Sequence, residues 1–223
     1  MSVEVSIPTA EPTVDIAFAA LTPYQRYKLM ASLIVPRPIA LVTTINPQGV
    51  VNAAPFSMFN MLGEDPPLVM ISINRLEGGA MKDTAANIVR SGEFVVHLTD
   101  EPMAAQMHAC GERLPHDQSE LEKVGLTCAP SVSIKPPRIA EAPVAFECRL
   151  WEQIETASRS IFFGEILRLH AREDLIDTET WRVRLQNYFP VGRFGASFYV
   201  GTRDRFSLEQ GPVEVRETEI DAI

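Results

Sequence analysis

The sequence predicts a mainly β protein, an antiparallel barrel or sandwich with a few helices inserted between strands. Short runs of β-branched and aromatic residues recur along the chain, and turn residues separate them. Most of these runs follow one another directly, as the strands of hairpins do, and only some are separated by a segment with helical spacing. The regular alternation of strand and helix that marks a parallel βαβ sheet is therefore not expected.

The clearest strand pair is an early hairpin. An apolar, β-branched run begins at Ile39, the turn residues Asn46, Pro47 and Gly49 follow it, and the extended pattern resumes at Val50. Later runs are bounded in the same way by glycine and proline. The expected strands are residues 39–45, 50–54, 56–61, 68–73, 94–98, 144–154, 161–170 and 196–200.

Helix signals occur in four places. The prolines of the VPRP string end the first helix, Asp83 or Thr84 can cap the second before it stops at Gly92, and Gly125 ends the last. The expected helices are residues 24–34, 82–90, 101–110 and 119–124.

The 223 residues fit one domain with a sizeable core. The first residues are punctuated by proline and threonine, and the last are highly charged. We expect an N-terminal arm over residues 1–23, one domain over 24–202 and a peripheral tail over 203–223.

Composition and charge narrow the function classes. Hydrophobic residues make up 46% of the chain, which is globular composition, and 29 acidic against 20 basic side chains give a net charge of −9. Such a chain is repelled by nucleic acid and by anionic lipid, so neither is an expected partner. Three cysteines fit no disulfide framework, and the first fifteen residues lack the pattern of a secretory signal. We expect a cytoplasmic protein.

Two short motifs each allow a structural and a functional interpretation. Pro55 removes a backbone donor from an apolar strand, which is typical of an edge strand or bulge but also leaves neighbouring groups free for a polar, planar ligand. Lys82, Asp83 and Thr84 open a helix, which indicates either simple capping or an anion site where free amides and a cation meet.

Histidine and cysteine give no expected metal site. His108, Cys110 and His116 lie within nine residues, but their spacing matches no common structural zinc site, and they are interpreted as loop and surface residues. Cys148 alternates with Phe146 on a strand and is expected in the core.

Several strings in this order carry a family resemblance. VPRPIALVTT and NAAPFSMFN come first, KDTAANI and GEFVV follow, and PVGRFGASFYV comes last. Together they resemble the flavin reductase-like, FMN-binding split-barrel family, in its flavoredoxin-like branch, over residues 24–200. The resemblance implies a homodimeric, six-stranded antiparallel Greek-key barrel with flanking helices that binds FMN near the dimer interface.

The resemblance also implies the cofactor-binding residues. Asn52 and the stretch 54–57 would approach the isoalloxazine and ribityl chain, with two threonines on the adjacent strand, and Arg75, Lys82 and Thr84 would meet the phosphate. Asp83 is interpreted as the cap that orients Lys82. Arg193 is either a partner-chain contact to the flavin edge or part of a surface ion pair. The full set is Thr43, Thr44, Asn52, Ala54, Pro55, Phe56, Ser57, Asn60, Arg75, Lys82, Asp83, Thr84 and Arg193.

The implied activity is oxidoreduction, in which NADH or NADPH gives hydride to FMN and the electrons pass to an acceptor or a partner monooxygenase. Alternatives remain open: an electron-transfer flavoprotein without NAD(P)H turnover, an FMN enzyme acting directly on an organic substrate such as a nitro compound, or a β-domain without a cofactor. The sequence departs from the family at His97, where asparagine is familiar, and we expect a core or rim histidine there. No catalytic side chain is assigned.

Overall fold

The structure, a computed structural model, describes residues 11–206. Its strands are β1 (Arg37–Pro38), β2 (Ala40–Ile45), β3 (Val51–Phe56), β4 (Phe59–Glu64), β5 (Pro67–Asn74), β6 (Glu93–Leu98), β7 (Cys128–Ala129), β8 (Arg138–Ile139), β9 (Val144–Glu155), β10 (Arg159–Ala171), β11 (Ile176–Asp177), β12 (Arg182–Val183), β13 (Gly192–Gly195) and β14 (Phe198–Val200). The helices are α1 (Pro23–Leu33), α2 (Asp83–Ser91), α3 (Ala104–Ala109) and α4 (Glu120–Val124).

One antiparallel sheet organises the molecule. Its strand order is β3-β2-β6-β9-β10-β5-β4, and a smaller sheet has the order β1-β13-β14. The antiparallel, mainly β class is therefore confirmed, and within residues 11–206 the main sheet has seven strands where six were expected. The chain bends at residues 57–58, between β3 and β4.

Local sequence signals explain the first hairpin. Asn46 Oδ1 accepts hydrogen bonds from the N–H groups of Gln48 (2.9 Å) and Val50 (2.8 Å), and Gly49 adopts φ +86°. The asparagine side chain thus folds the turn, and glycine supplies the left-handed conformation. The register pairs Ala40 with Phe56.

Local sequence signals also explain the helix ends, except at the start of α2. Thr22 and Gln25 form a capping box at α1, and Gly92 in the left-handed conformation ends α2. The expectation that Asp83 caps α2 is wrong. Lys82 is the N-cap residue, Asp83 is the first helical residue, and no side chain caps the N-cap position. The expected helix over 101–110 begins instead as a 3₁₀ turn, Glu101–Met103, before α3.

Apolar side chains fill the space on both faces of the sheet. Phe94 and Phe162 are fully buried in one cluster with the apolar face of α2, and Leu41 packs with Met107 and Leu121 from α3 and α4 in another. Cys148 is fully buried, as expected. Among residues 11–206, no helix has the length and apolar character needed to cross a membrane.

His97 is a satisfied core residue, as expected. Its imidazole is fully buried, Nδ1–H donates to Leu41 O (2.8 Å), and Nε2 accepts from the N–H of Ile139 (2.8 Å). This pair of bonds fixes the neutral tautomer. Burial lowers the pKa of His97 to about 4, so the histidine links β2 to β8 without carrying charge.

Candidate functional site

Three elements that are distant in sequence meet at one end of the sheet: strand β3, the start of α2, and the segment 107–116 that follows α3. Two neighbouring cavities lie there. Residues of β3 and of the segment 107–116 line both, and the start of α2 lines the first. We call the first, of about 220 Å³, the lysine cavity, because Lys82 lines it, and the second, of about 550 Å³, the tyrosine cavity, because Tyr24, Tyr27 and Tyr199 line it. Gly111 and Glu112 border both, so the two cavities are adjacent.

The lysine cavity opens onto the start of α2. The first amides of an α-helix have no intrahelical partner and carry the positive end of its dipole. Burial lowers the pKa of the Lys82 ammonium, and the nearby guanidiniums of Arg159 and Arg113 lower it further. Three cations thus crowd one helix start, and an anion there would relieve their mutual repulsion.

The acidic groups of this cavity are largely compensated. His116 Nδ1 lies 2.6 Å from Asp83 Oδ1. Glu120 Oε2 accepts one from the N–H of Ala53 (2.8 Å), and burial, with the Asp83 charge nearby, raises the pKa of Glu120. Glu112, the third acid of the lining, pairs with Lys123 Nζ (2.6 Å). Each of the three carboxyl groups therefore has a partner other than Lys82.

Polar side chains fix the walls of the lysine cavity. Asn52 Nδ2 on β3 donates to Thr84 Oγ1 on α2 (2.9 Å), and Asn87 Nδ2 donates to Thr44 Oγ1 (3.1 Å). These two hydrogen bonds fix the position of α2 relative to the β2–β3 hairpin. On the opposite side Gly111 lies so close to Pro55 that a Cβ would stand 3.5 Å from its Cγ and 3.0 Å from the His108 carbonyl oxygen.

The tyrosine cavity is built by the small sheet and α1. The register of β1 with β13 pairs Arg37 with Arg193. The Arg37 guanidinium donates to the Ala31 and Ile34 carbonyls at the end of α1 and, through Nε, to Ser57 Oγ (3.4 Å). Arg37 therefore links the end of α1 to Ser57 through Nε and Nη1.

Tyr199 is fixed between two side chains in this cavity. His108 Nδ1 lies 2.8 Å from its hydroxyl oxygen, and the two rings meet edge to face. The Arg193 guanidinium stands 4.7 Å from the centre of the Tyr199 ring and donates to the Ala196 carbonyl. Arg193 thus lines a cavity of its own chain, beside strand β3.

The structure brings most of the residues named from the sequence into these cavities. Those that line the lysine cavity are Asn52, Ala54, Lys82, Asp83 and Thr84, and those that line the tyrosine cavity are Pro55, Ser57 and Arg193.

The remaining residues have other partners. Thr43 is fully buried and donates to the Pro137 carbonyl (2.6 Å), and Thr44 is the buried partner of Asn87. Phe56 is a core residue whose ring centre lies 6.0 Å from Lys82 Nζ. Asn60 is exposed and accepts from the N–H of Met61.

Arg75 also has its partners outside the two cavities. Its guanidinium pairs with Glu155 and donates to the Gly79 carbonyl (3.0 Å). Arg113 and Arg159, which the sequence analysis did not name, are the cations close to Lys82.

The segment 107–116 is the part of the site that sequence reasoning missed. His108 and His116 were weighed only as metal ligands and interpreted as loop residues, yet each lines a cavity. Within residues 11–206, no cluster of histidine, cysteine and acidic side chains could hold a metal ion. The available signal was the density of polar and cationic residues in this segment, which has no periodicity of its own.

Comparison with known proteins agrees with this architecture. The family described as "Flavin reductase like domain" matches residues 30–188. An uncharacterized protein of Aquifex aeolicus is 40% identical over 174 residues, which is 78% of this chain and 88% of that protein. The uncharacterized protein YwrF of Bacillus subtilis is 38% identical over 188 residues, 82% of this chain and 91% of its own length.

Solved structures extend the similarity. The 2-nitrobenzoate 2-nitroreductase NbaA of Pseudomonas fluorescens is 44% identical, with a TM-score of 0.82 over 89% of this chain and 96% of that one. Nitrilotriacetate monooxygenase component B of Bacillus cereus is 33% identical, with a TM-score of 0.84 over 89% of this chain and 100% of that one. With the family match spanning most of the chain, the protein belongs to the flavin reductase-like family.

Proposed function

We propose that the chain is an FMN-dependent oxidoreductase that takes hydride from NADH or NADPH and passes electrons to an acceptor. The observation that carries this proposal is the uncapped start of α2, where Lys82 and Arg113 line a cavity that adjoins a larger one along β3, and where Arg159 is a further cation near Lys82. A group with a doubly charged phosphate at one end and a planar ring at the other suits a cationic helix start from which strand β3 runs on toward the larger cavity.

The residues present fit FMN. Lys82, the Thr84 hydroxyl and the first amides of α2 would hold the phosphate, with the Arg113 guanidinium nearby. Asn52 and the backbone of residues 54–57 would border the ring system, because this stretch lines both cavities. When bound, FMN supplies the redox chemistry by accepting hydride at N5 and releasing electrons to the acceptor.

The protein would contribute position and electrostatics. Its cations oppose the repulsion that a chain of net charge −9 exerts on an anionic cofactor. The segment 107–116 covers one side of the cavities, since Met107, Gly111 and Glu112 line them, and would shield the ring from water. No side chain is needed as a proton donor for hydride transfer to the cofactor.

Two measurements test this function. Protein purified without added flavin, or titrated with FMN, should show bound-flavin absorbance, and NADH or NADPH should bleach it in a stopped-flow experiment. Protein that binds no FMN would refute the proposal. Bleaching by dithionite alone would favour an electron-transfer flavoprotein without NAD(P)H turnover.

A second candidate function is direct reduction of an organic substrate. It is favoured by the 44% identity to a nitroreductase and by the 550 Å³ cavity beside the expected ring position. The similarity to a monooxygenase component B favours transfer to an oxygenase partner instead. Consumption of a nitroaromatic compound by protein, FMN and NADPH, with no other protein present, would distinguish the direct reductase from the partner-dependent one.

A further inference from the structure

The tyrosine cavity has the position expected of a second binding site. It is lined by Pro55 and Ser57 of strand β3 and shares Gly111 and Glu112 with the lysine cavity. Its volume of about 550 Å³ lies within the range of small-molecule sites. If FMN binds as proposed, a molecule in this cavity lies against the same strand as the flavin ring.

Aromatic side chains dominate the wall that faces solvent. Tyr24 and Tyr27 are three residues apart on α1, so they lie on the same side of the helix, and both rings are at least half exposed. Tyr199 lies across the cavity with its hydroxyl at His108. Rings arranged in this way offer stacking surface to a flat ligand.

The charge of the cavity is opposite to that of the chain. Lys28 is exposed at its edge, and the only polar contact of its ammonium among residues 11–206 is the Tyr24 ring, 5.7 Å away. Arg193 has one N–H group on the Ala196 carbonyl and its plane near Tyr199, which leaves further donors for a ligand. Glu112 is the acid in the lining, and it is paired with Lys123 Nζ (2.6 Å).

From this combination we propose that the tyrosine cavity binds a small aromatic carboxylate. The ring would lie among the tyrosines, and the carboxylate would be met by Lys28 and Arg193. Arg37 also lines this cavity, and its contacts to Ala31, Ile34 and Ser57 do not use Nη2, so it adds to the cationic lining. The proposal rests on the proposed function for its catalytic meaning, since it names the substrate class that would meet the flavin.

Benzoate and benzamide test the proposal, because they share shape and differ in charge. With FMN-loaded protein, calorimetry should show benzoate binding at least about 10-fold tighter than benzamide, since one charge-assisted contact contributes about this factor. Arg193→Gln should weaken benzoate binding about 10-fold, and Lys28→Gln by a few fold because Lys28 is exposed. Neither variant should change benzamide binding.

Matched controls complete the experiment. Lys135→Gln removes an exposed lysine that lines neither cavity, and it should leave benzoate binding unchanged. Tyr27→Leu should weaken benzoate and benzamide alike. Equal affinity for the two ligands, or competition of benzoate with FMN, would overturn the proposal. Calorimetry detects benzoate whether or not FMN is bound, so failure of the cofactor assignment and failure of this site give different results.

Discussion

At the scale of single residues, the proposal that the lysine cavity binds a phosphate depends most on Lys82. It is half-buried at a helix start, and its pKa is lowered chiefly by burial and then by two arginines. A charged group held in this way is costly unless an anion is bound beside it. The structural role of an N-cap residue does not require lysine, because serine, threonine and aspartate serve better.

We expect Lys82→Ala to weaken FMN binding by about 10- to 150-fold, which corresponds to about 1.5–3 kcal/mol for a charge-assisted contact. Riboflavin, which lacks the phosphate, should lose much less. Thr84→Ala should have a smaller effect, because it removes a neutral donor and leaves the helix amides in place. Fluorescence quenching titrations with both flavins give these values.

Arg75→Ala provides the comparison for Lys82. Arg75 is also expected from the sequence to meet the phosphate, but its guanidinium pairs with Glu155. The effect of Arg75→Ala on FMN affinity should therefore be the smaller of the two. If Lys82→Ala reduces FMN and riboflavin affinity equally, the phosphate assignment fails.

His97 yields a prediction about pH. Its pKa falls from 6.5 to about 4 on folding, so the folded state binds fewer protons than the unfolded state between these values. The stability due to the neutral imidazole is complete above pH 6.5 and is lost as pH falls toward 4. At pH 5 the loss amounts to about 2 kcal/mol.

Urea unfolding at pH 7.5 and pH 5.0 measures this loss. The His97→Asn variant cannot titrate at this position, and its stability should fall by about 2 kcal/mol less than that of the wild type between the two pH values. The substitution itself can change the free energy of unfolding at pH 7.5, but the change between the two pH values isolates the titration of His97. An equal change in both proteins would show that His97 is not buried in its neutral form.

At the scale of elements, the sequence predicts what local signals determine. The β2–β3 hairpin follows from Asn46 and Gly49, and the end of α2 follows from Gly92, because each signal acts within a few residues. Contacts between distant segments explain the differences. Asp83 pairs with His116 instead of capping its own helix, and the pairing of β1 with β13 brings Arg193 to Arg37.

The candidate site shows the same difference between local signals and contacts of distant segments. Residues of β3 and the start of α2 are recognisable from their motifs, and most of them line the cavities. The segment 107–116 joins the site through tertiary contacts: its packing against Pro55, the contact of His116 with Asp83, and the hydrogen bond from Asn46 to the His116 carbonyl. Its position depends on tertiary contacts, which the pattern of residues along the segment does not indicate.

Strand β10 carries the element-scale prediction. Gly164 faces the ring of Phe94, and a Cβ there would lie 2.4 Å from the ring carbon Cζ in a fully buried environment. We expect Gly164→Ala to lower the free energy of unfolding by about 1–3 kcal/mol, because an overpacked core must shift its neighbours. Urea denaturation measures this change.

Gly63→Ala is the matched control for Gly164. Gly63 also lies in a strand, but its Cβ would meet the nearest atom, the Pro66 carbonyl oxygen, at an ordinary 3.7 Å, so the cost should be much smaller. A Gly164→Ala variant as stable as the wild type would mean that β6 and β10 are not packed as closely as the structure shows.

At the scale of the whole molecule, the outer face of the main sheet is the feature that remains to be explained. Along β10 the side chains alternate: Phe162 is fully buried in the core, whereas Ile161 and Phe163 point outward and are half-buried. The sheet register sets Ile161 beside Ile154 and Phe163 beside Met70. These four side chains form a continuous outer apolar face on a chain that is otherwise strongly charged.

We expect this outer apolar face to be the contact between two copies of the chain. A patch of this kind is typical of an interface, and a two-fold dimer would bury it twice, over more than about 1,000 Å² in total. Light scattering at micromolar concentration should give twice the chain mass of 24.7 kDa. Ile161→Asp combined with Phe163→Asp should give monomers, because charged side chains would have to be buried in the contact. Leu169→Asp, on an exposed part of the same strand, should leave the dimer intact. A monomeric wild type would refute the assembly, and dimers of the double variant would place the contact on another surface.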